Sequence, residues 1–254
     1  MDLSDIVKKF DEYVQQFDLT NEKINDKFNH SHRVMVLAKK IAVDEDLCDE
    51  DIFLASVSGL VHDISRFSQI KMYDDYSDST YNKKKLFDHG NESERILKEL
   101  KFLNEFIPDE ELRNIVYIAA RNHNKLCIED NLSDRELLHS KIIRDADKLD
   151  IMLTQSNSLS KSFDKVDENI LVAFRNKSLV LNKDIHCESD YLLRSLSYVF
   201  DLYFSYSIKF IKRHRIVQKK VKLLKSNTKD VYTINKIEYL VKKYLENWED
   251  NYVR

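Results

Sequence analysis

Residues 49–63 read DEDIFLASVSGLVHD, three acids followed by an apolar run from Ile52 to Val61 and closed by the doublet His62-Asp63. Asp49, Glu50 and Asp51 stand where the partial positive charge of a helix start favours them, so the stretch predicts a helix ending near the doublet. The flanking segments carry the same period. Upstream, a helix is expected over residues 22–43 with Phe28, His32, Met35, Val36 and Ala38 through to Ile41, and another over 3–17 from Leu3, Ile6, Val7, Phe10, Val14 and Phe17. Downstream, residues 64–88 lack a period and read as a polar loop or broken segment containing Tyr73, Tyr76, Tyr81 and Lys83-Lys84-Lys85. Helical spacing returns in NESERILKELKFL, residues 91–103. It returns again after Pro108, where Asp109, Glu110 and Glu111 open a helix with Leu112, Ile115, Val116, Ala119 and His123 on one face. Ser133 and Glu136 have capping-box spacing and open a helix through Leu137, Leu138, Ile142 and Ile143 to Ala146, Asp147 and Leu149.

Gly59, Gly90 and Pro108 are the only glycines and proline among 254 residues, which leaves little material for hairpin turns and favours an all-α fold. A hydrophobic content of 43% supplies a core for one domain over 1–254, centred on about 20–155. Residues 154–188 are mixed, with the Ser-rich SNSLSKS and one short helix around LVAF. From Asp190 the run YLLRSLSYVFDLYFSYSIKFIK predicts a long helix, part of a C-terminal helical extension over about 190–252 packed on the core. Arg194, Asp201 and Lys209 interrupt that run too often for a bilayer. With 41 basic and 44 acidic residues the net charge is −3, so no global field selects nucleic acid or an anionic membrane. Cys48, Cys127 and Cys187 form no CxxC pair and suit a reducing compartment. The N-terminus alternates charged and apolar residues and lacks a signal-peptide core, so a cytoplasmic protein is expected.

Candidate chemistry lies on separate helices. His32 stands 30 positions before His62, and Asp147 stands 84 after Asp63, so a common site requires at least three helices to meet, as helical bundles do when they build metal centres. Neutral imidazole and ionised carboxylate are both good ligands for a divalent cation, and a carboxylate can bridge two. His89 and His123 each lie near the end of a predicted helix and could complete a second position. His30, about 200° round the helix from His32, is expected to be exposed or to stand behind the ligands. His139, His186 and His214 lack comparable partners and read as structural or surface residues.

The contexts HSHRVMVLAKKIA, GLVHDISRF and IIRDADKLDIM resemble the HD-domain superfamily of metal-dependent phosphohydrolases. The blocks DHGNESERIL, AARNHNK, RDADKLDIM and DYLLRSLSYVFDLYFSYS look like a bacterial branch of stand-alone HD proteins. The resemblance covers most of residues 20–215 and implies an HD-type helical bundle. It implies metal ligation by His32, His62, Asp63 and Asp147, with His89 and His123 on a second ion and Asp63 bridging. Two departures stand out: many relatives carry Gly where this chain has Ser65, and the Glu-Asp pair that follows the doublet in alarmone hydrolases is absent.

The implied reaction is hydrolysis of a phosphoester, in a nucleotide or other small phosphorylated molecule, by a metal-activated hydroxide. One or two divalent ions are expected, with Mn, Fe, Ni, Zn, Co and Mg not distinguished by the ligand types. Asp63 would take part in catalysis, and Arg66, Lys125 and Lys148, adjacent to the three motifs, would neutralise developing charge. The tyrosines of the 64–88 segment would either stack on a base or anchor the loop. Two other readings stay open: a di-iron oxygenase, and a non-catalytic module binding a nucleotide or metal. The basic stretch IKRHRIVQKKVKLLK, residues 211–225 with Lys209 just before it, reads as a solvated helix face rather than a nucleic-acid surface. Homo-oligomerisation is left open.

Overall fold

In the computed structural model, which describes residues 2–75, 87–155 and 159–248, the quoted run forms α3 (Asp49–Val61), and every residue from Phe53 to Val61 is buried. A helix apolar on all sides is stable only when surrounded, so α3 is the axis about which its neighbours pack. Those neighbours are α1 (Leu3–Val14), α2 (Glu22–Asp44) and α6 (Glu110–Asn122), while α4 (Ile64–Tyr73) and α5 (His89–Glu99) close the layer around them. Asp2, Asn21, Asp88 and Asp109 cap α1, α2, α5 and α6 by accepting from a backbone N–H of the first turn. The Ser133–Glu136 pair forms the reciprocal capping box at the start of α7 (Asp134–Thr154). Phe10, Leu54, Leu60, Phe67, Leu97, Leu103 and Val116, all fully buried, share one apolar cluster.

The chain groups into two compact units, residues 1–147 and 148–254, with the division inside α7. The second unit contains α8 (Glu168–Arg175), α9 (Glu188–Ser197), α10 (Ser205–His214), α11 (Ile216–Ser226) and α12 (Val231–Glu246). There α11 packs on α9, α10 and α12, and α8 on α9 and α12. The only β feature among the described residues is an isolated bridge between Phe163 and Thr228, so the fold is all-α. No helix among them is long and apolar enough to cross a membrane.

Two expectations about local structure are corrected. Residues 64–73 are not loop but α4. Ile64, Phe67 and Ile70 are its apolar stripe, and Ser65, Arg66 and Gln69 are buried with them, so polar residues facing inward hid the period. Tyr76, Tyr81 and Lys83-Lys84-Lys85 lie outside the described residues. The long helix expected from Asp190 onward is instead α9, a 3-10 turn at Tyr198–Asp201, extended backbone at Leu202 and Phe204, and then α10. Ser195 and Ser197 donate their hydroxyls back to the carbonyls of Leu192 and Arg194, a competition that weakens a helix at its end. Arg215, in the left-handed region at φ 52°, separates α10 from α11, so the basic stretch is two helices rather than one continuous face.

Within the second unit Lys220 is only 5% exposed, and among the described residues its ammonium meets a single acceptor, Gln155 Oε1, at 3.2 Å. Burial pushes its pKa down to about 8. The folded chain therefore binds fewer protons than the unfolded chain between about pH 8 and the ordinary lysine value. Stability should rise with pH through that window and carry the full cost below it. Lys220→Met is expected to stabilise the protein at pH 7 by about 3 kcal/mol at most, with no such gain at pH 10.5. Denaturant titrations at the two pH values check this; equal effects at both would contradict it.

Candidate metal centre

His62 follows the last residue of α3 and Asp63 precedes the first of α4, so the doublet is itself the two-residue break between the helices. An aspartate at such a position usually caps the next helix, but Asp63 makes no side-chain cap bond, and its carboxylate turns into the interior, where it is 2% exposed. His89 stands at the first position of α5, His123 at the C-terminal end of α6, Asp147 within α7 and His30 within α2. All six side chains converge. Asp63 Oδ2 lies 3.7 Å from both His30 Nε2 and His62 Nε2, and Asp147 Oδ1 lies 3.1 and 3.8 Å from the same two nitrogens. Asp63 Oδ1 faces the other way, 3.4 Å from His123 Nε2 and 3.7 Å from His89 Nε2. The carboxylate thus sits between two imidazole pairs.

Ring orientation is imposed by backbone. Nδ1 of His62 donates to the Gly59 carbonyl at 2.8 Å, and Nδ1 of His123 to that of Ala120 at 2.6 Å. A carbonyl only accepts, so each neutral ring keeps its proton on Nδ1 and presents the Nε2 lone pair to the cluster, as a ligating imidazole must. Burial drives His62 down to about 3, outweighing the opposite pull of Asp63, and the ring is neutral at physiological pH. Burial alone would raise the Asp63 pKa, but Lys27, then His62, hold the carboxyl well below the usual range. Asp147 is likewise held ionised against burial, chiefly by His30. Lys27 Nζ lies 2.8 Å from Asp63 Oδ2, and Arg66 Nε 3.6 Å from Oδ1.

The neighbouring turns are braced. Arg144, 1% exposed, donates to the carbonyls of Asn122, Lys125 and Leu126, which pins the turn carrying His123. Ser65 donates to the His89 carbonyl at 2.9 Å and receives the Ser93 hydroxyl at 3.0 Å, so it ties α4 to the start of α5. The Asn124 amide lies 3.1 Å from Nδ1 of His89.

Whether a cation fits can be judged from the acceptors. His62 Nε2 and Asp63 Oδ1 are buried with no hydrogen bond, a costly state for two lone pairs that a cation between them would relieve. His30, His62 and Asp147 form one group of ligand atoms within 4.8 Å of one another, and His62, Asp63 and His123 a second. Two carboxylates and neutral imidazoles suit a divalent transition metal, so the residues fit.

Residues 28–152 match the family described as HD domain, a span that contains all six converging residues. The chain is an HD-domain protein. No curated protein and no solved structure matches it significantly.

Within this HD domain one assignment moves. His32 does not enter the cluster: its Nε2 pairs with Asp11 Oδ1 at 2.9 Å and its ring packs against Phe10 and Phe28. His30, expected to be exposed or to stand behind the ligands, takes that place. The reason is helical phase, because His30 shares a buried stripe with Val34, Leu37 and Ile41 at spacings of four, seven and eleven, and His32 lies off it. That stripe was present in the sequence, and so was Lys27 one turn earlier on the same face, which sequence reasoning missed. Among the expected cationic residues, Arg66 reaches Asp63. Lys125 instead binds Asp88 and Asn91 at the start of α5, and Lys148 pairs with Asp201 at 2.9 Å. Their ammonium groups are held by carboxylates outside the histidine–aspartate cluster, whereas Arg66 approaches one within it.

His30→Ala and His32→Ala separate the two assignments. The first should lower affinity for added Mn²⁺ by at least about a hundredfold, and the second by less than about threefold. Titration of metal-stripped protein followed by elemental analysis reads this directly. The reverse order would return the ligand role to His32.

Proposed function

We propose that this HD-domain protein is a metal-dependent phosphohydrolase acting on a small phosphorylated molecule, with nucleotides the foremost class. The observation that carries the reading is Asp63, whose two carboxylate oxygens face separate imidazole pairs while Lys27 and Arg66 approach one oxygen each. His30, His62, Asp63 and Asp147 would hold one divalent cation, and His89, His123 and Asp63 a second. When bound, such ions supply Lewis acidity and a water acidified toward neutrality. The chain's own groups do the rest. Nδ1–H bonds to Gly59 and Ala120 hold the His62 and His123 rings in place, which costs no reorganisation when substrate arrives. Lys27 and Arg66 bring positive charge to the Asp63 carboxylate and would meet the phosphoryl oxygens, giving dianionic substrates an advantage over neutral esters.

Phosphate release from a panel of nucleotides and sugar phosphates, with Mn²⁺, Co²⁺, Ni²⁺ or Mg²⁺ added to stripped protein, tests the proposal. Turnover should require metal and disappear with chelator. Absence of metal-dependent turnover across the panel would sink it, and turnover that consumes dioxygen would replace it with a di-iron oxygenase.

A further inference from the structure

In the second unit, Met152, Leu153 and Gln155 at the end of α7 face Ile216, Lys219, Lys220 and Leu223 of α11 across a cavity of about 120 Å³. Its composition is unusual for a packing defect. Met152 and Ile216 are each 2% exposed and Leu153 and Leu223 extend the apolar wall, yet two lysines line the same space with no carboxylate among the lining residues. Empty cavities left by imperfect packing are apolar. A lysine this deep normally pairs with an acid, and Lys220 forms no ion pair among the described residues. The Gln155 amide accepts from the ammonium through Oε1, which leaves its Nε2 as a second donor beside Lys220.

We propose that this cavity binds a monocarboxylate with a short branched or linear apolar tail, the carboxylate bridging Lys220 Nζ and Gln155 Nε2 and the tail lying against Met152, Leu153, Ile216 and Leu223. Two donors side by side match the two oxygens of a carboxylate. One buried ammonium balances one negative charge, whereas a phosphate dianion would carry a surplus charge into apolar walls. Lys219, exposed at the mouth, adds attraction for any anion that approaches. The lowered pKa of Lys220, down to about 8, is what an ammonium without a counter-ion shows, and a bound anion removes that penalty. This site is independent of the phosphohydrolase reading and draws on none of the histidine cluster.

Isothermal titration of the full chain with isovalerate, isovaleramide, acetate and inorganic phosphate tests it. Isovalerate should bind at one per chain in about the millimolar range. The amide should bind at least tenfold more weakly, and acetate, lacking the tail, weaker than isovalerate as well. Lys220→Met, expected to be the more stable protein, and Gln155→Glu, which sets a like charge against the ligand, should each weaken isovalerate at least tenfold. Inability to saturate with isovalerate up to 50-fold above that range, unchanged binding in both variants, or tighter binding of phosphate would each overturn the proposal.

Discussion

Asp63→Asn is expected to lower metal-dependent turnover on the best phosphoester of the panel by on the order of a thousandfold, with the fold intact. Asparagine has the same shape and fits the break between α3 and α4, so helix content should not change. It removes the charge on both oxygens that the imidazole pairs face, and leaves Lys27 and Arg66 beside a neutral amide. Electrostatic stabilisation of this kind is worth several kcal/mol, which is the source of the thousandfold. Metal stoichiometry and turnover are read on the same preparation, with far-UV circular dichroism as the control for folding. If the variant keeps its metal and stays within tenfold of the parent rate, Asp63 is not the residue on which the site turns.

Gly59→Ala should be a strongly damaging small substitution in the first unit. A Cβ at residue 59 would stand 2.9 Å from Met35 Cα, 2.9 Å from the Val34 carbonyl oxygen and 3.0 Å from Met35 N. These are backbone atoms of α2 and cannot swing aside as a side-chain end would, so the α2–α3 contact must open. Overpacking costs of this kind run to about 3 kcal/mol, a fall of roughly 6–12 °C in Tm for a chain of this size. The site suffers too, because His30 rides on α2, His62 on α3, and the Gly59 carbonyl holds His62 Nδ1. Lower Tm should therefore come with weaker Mn²⁺ binding. Thermal melts of stripped and metal-loaded protein check both; a melt within 1 °C of the parent would mean that the helices accommodate the methyl.

Local chemistry and period carry the helices in the sequence. The caps at Asp109 and Ser133, the acidic start at Asp49–Asp51 and the largely apolar run to Val61 each act within one or two turns of chain, so α3, α6 and α7 were legible without coordinates. The same holds for the His62-Asp63 doublet, whose position at the end of α3 follows from where the apolar run stops. Elements whose residues answer to distant partners were not legible. In α4 the buried Ser65 and Arg66 look like loop residues until the His89 carbonyl and the Asp63 carboxylate that receive them are in place. In the run from Tyr191 to Lys212, hydropathy predicted one helix, and serine back-bonding and the left-handed Arg215 cut the stretch and its continuation into shorter pieces.

The site divides along the same line. Its residue types, and their placement on separate helices, were determined by the sequence alone, because a histidine or aspartate that interrupts an apolar stripe must point inward with it. Which of His30 and His32 points inward was set by the phase of α2 against α3, which close approach at Gly59 settles. Lys27 became visible only with tertiary structure, since a lysine one turn before a histidine is unremarkable until a carboxylate 36 positions later lies 2.8 Å from its ammonium. Helix identity is written in interactions spanning one turn, whereas the partners of a buried charge are chosen by packing between helices that the chain brings together from far apart.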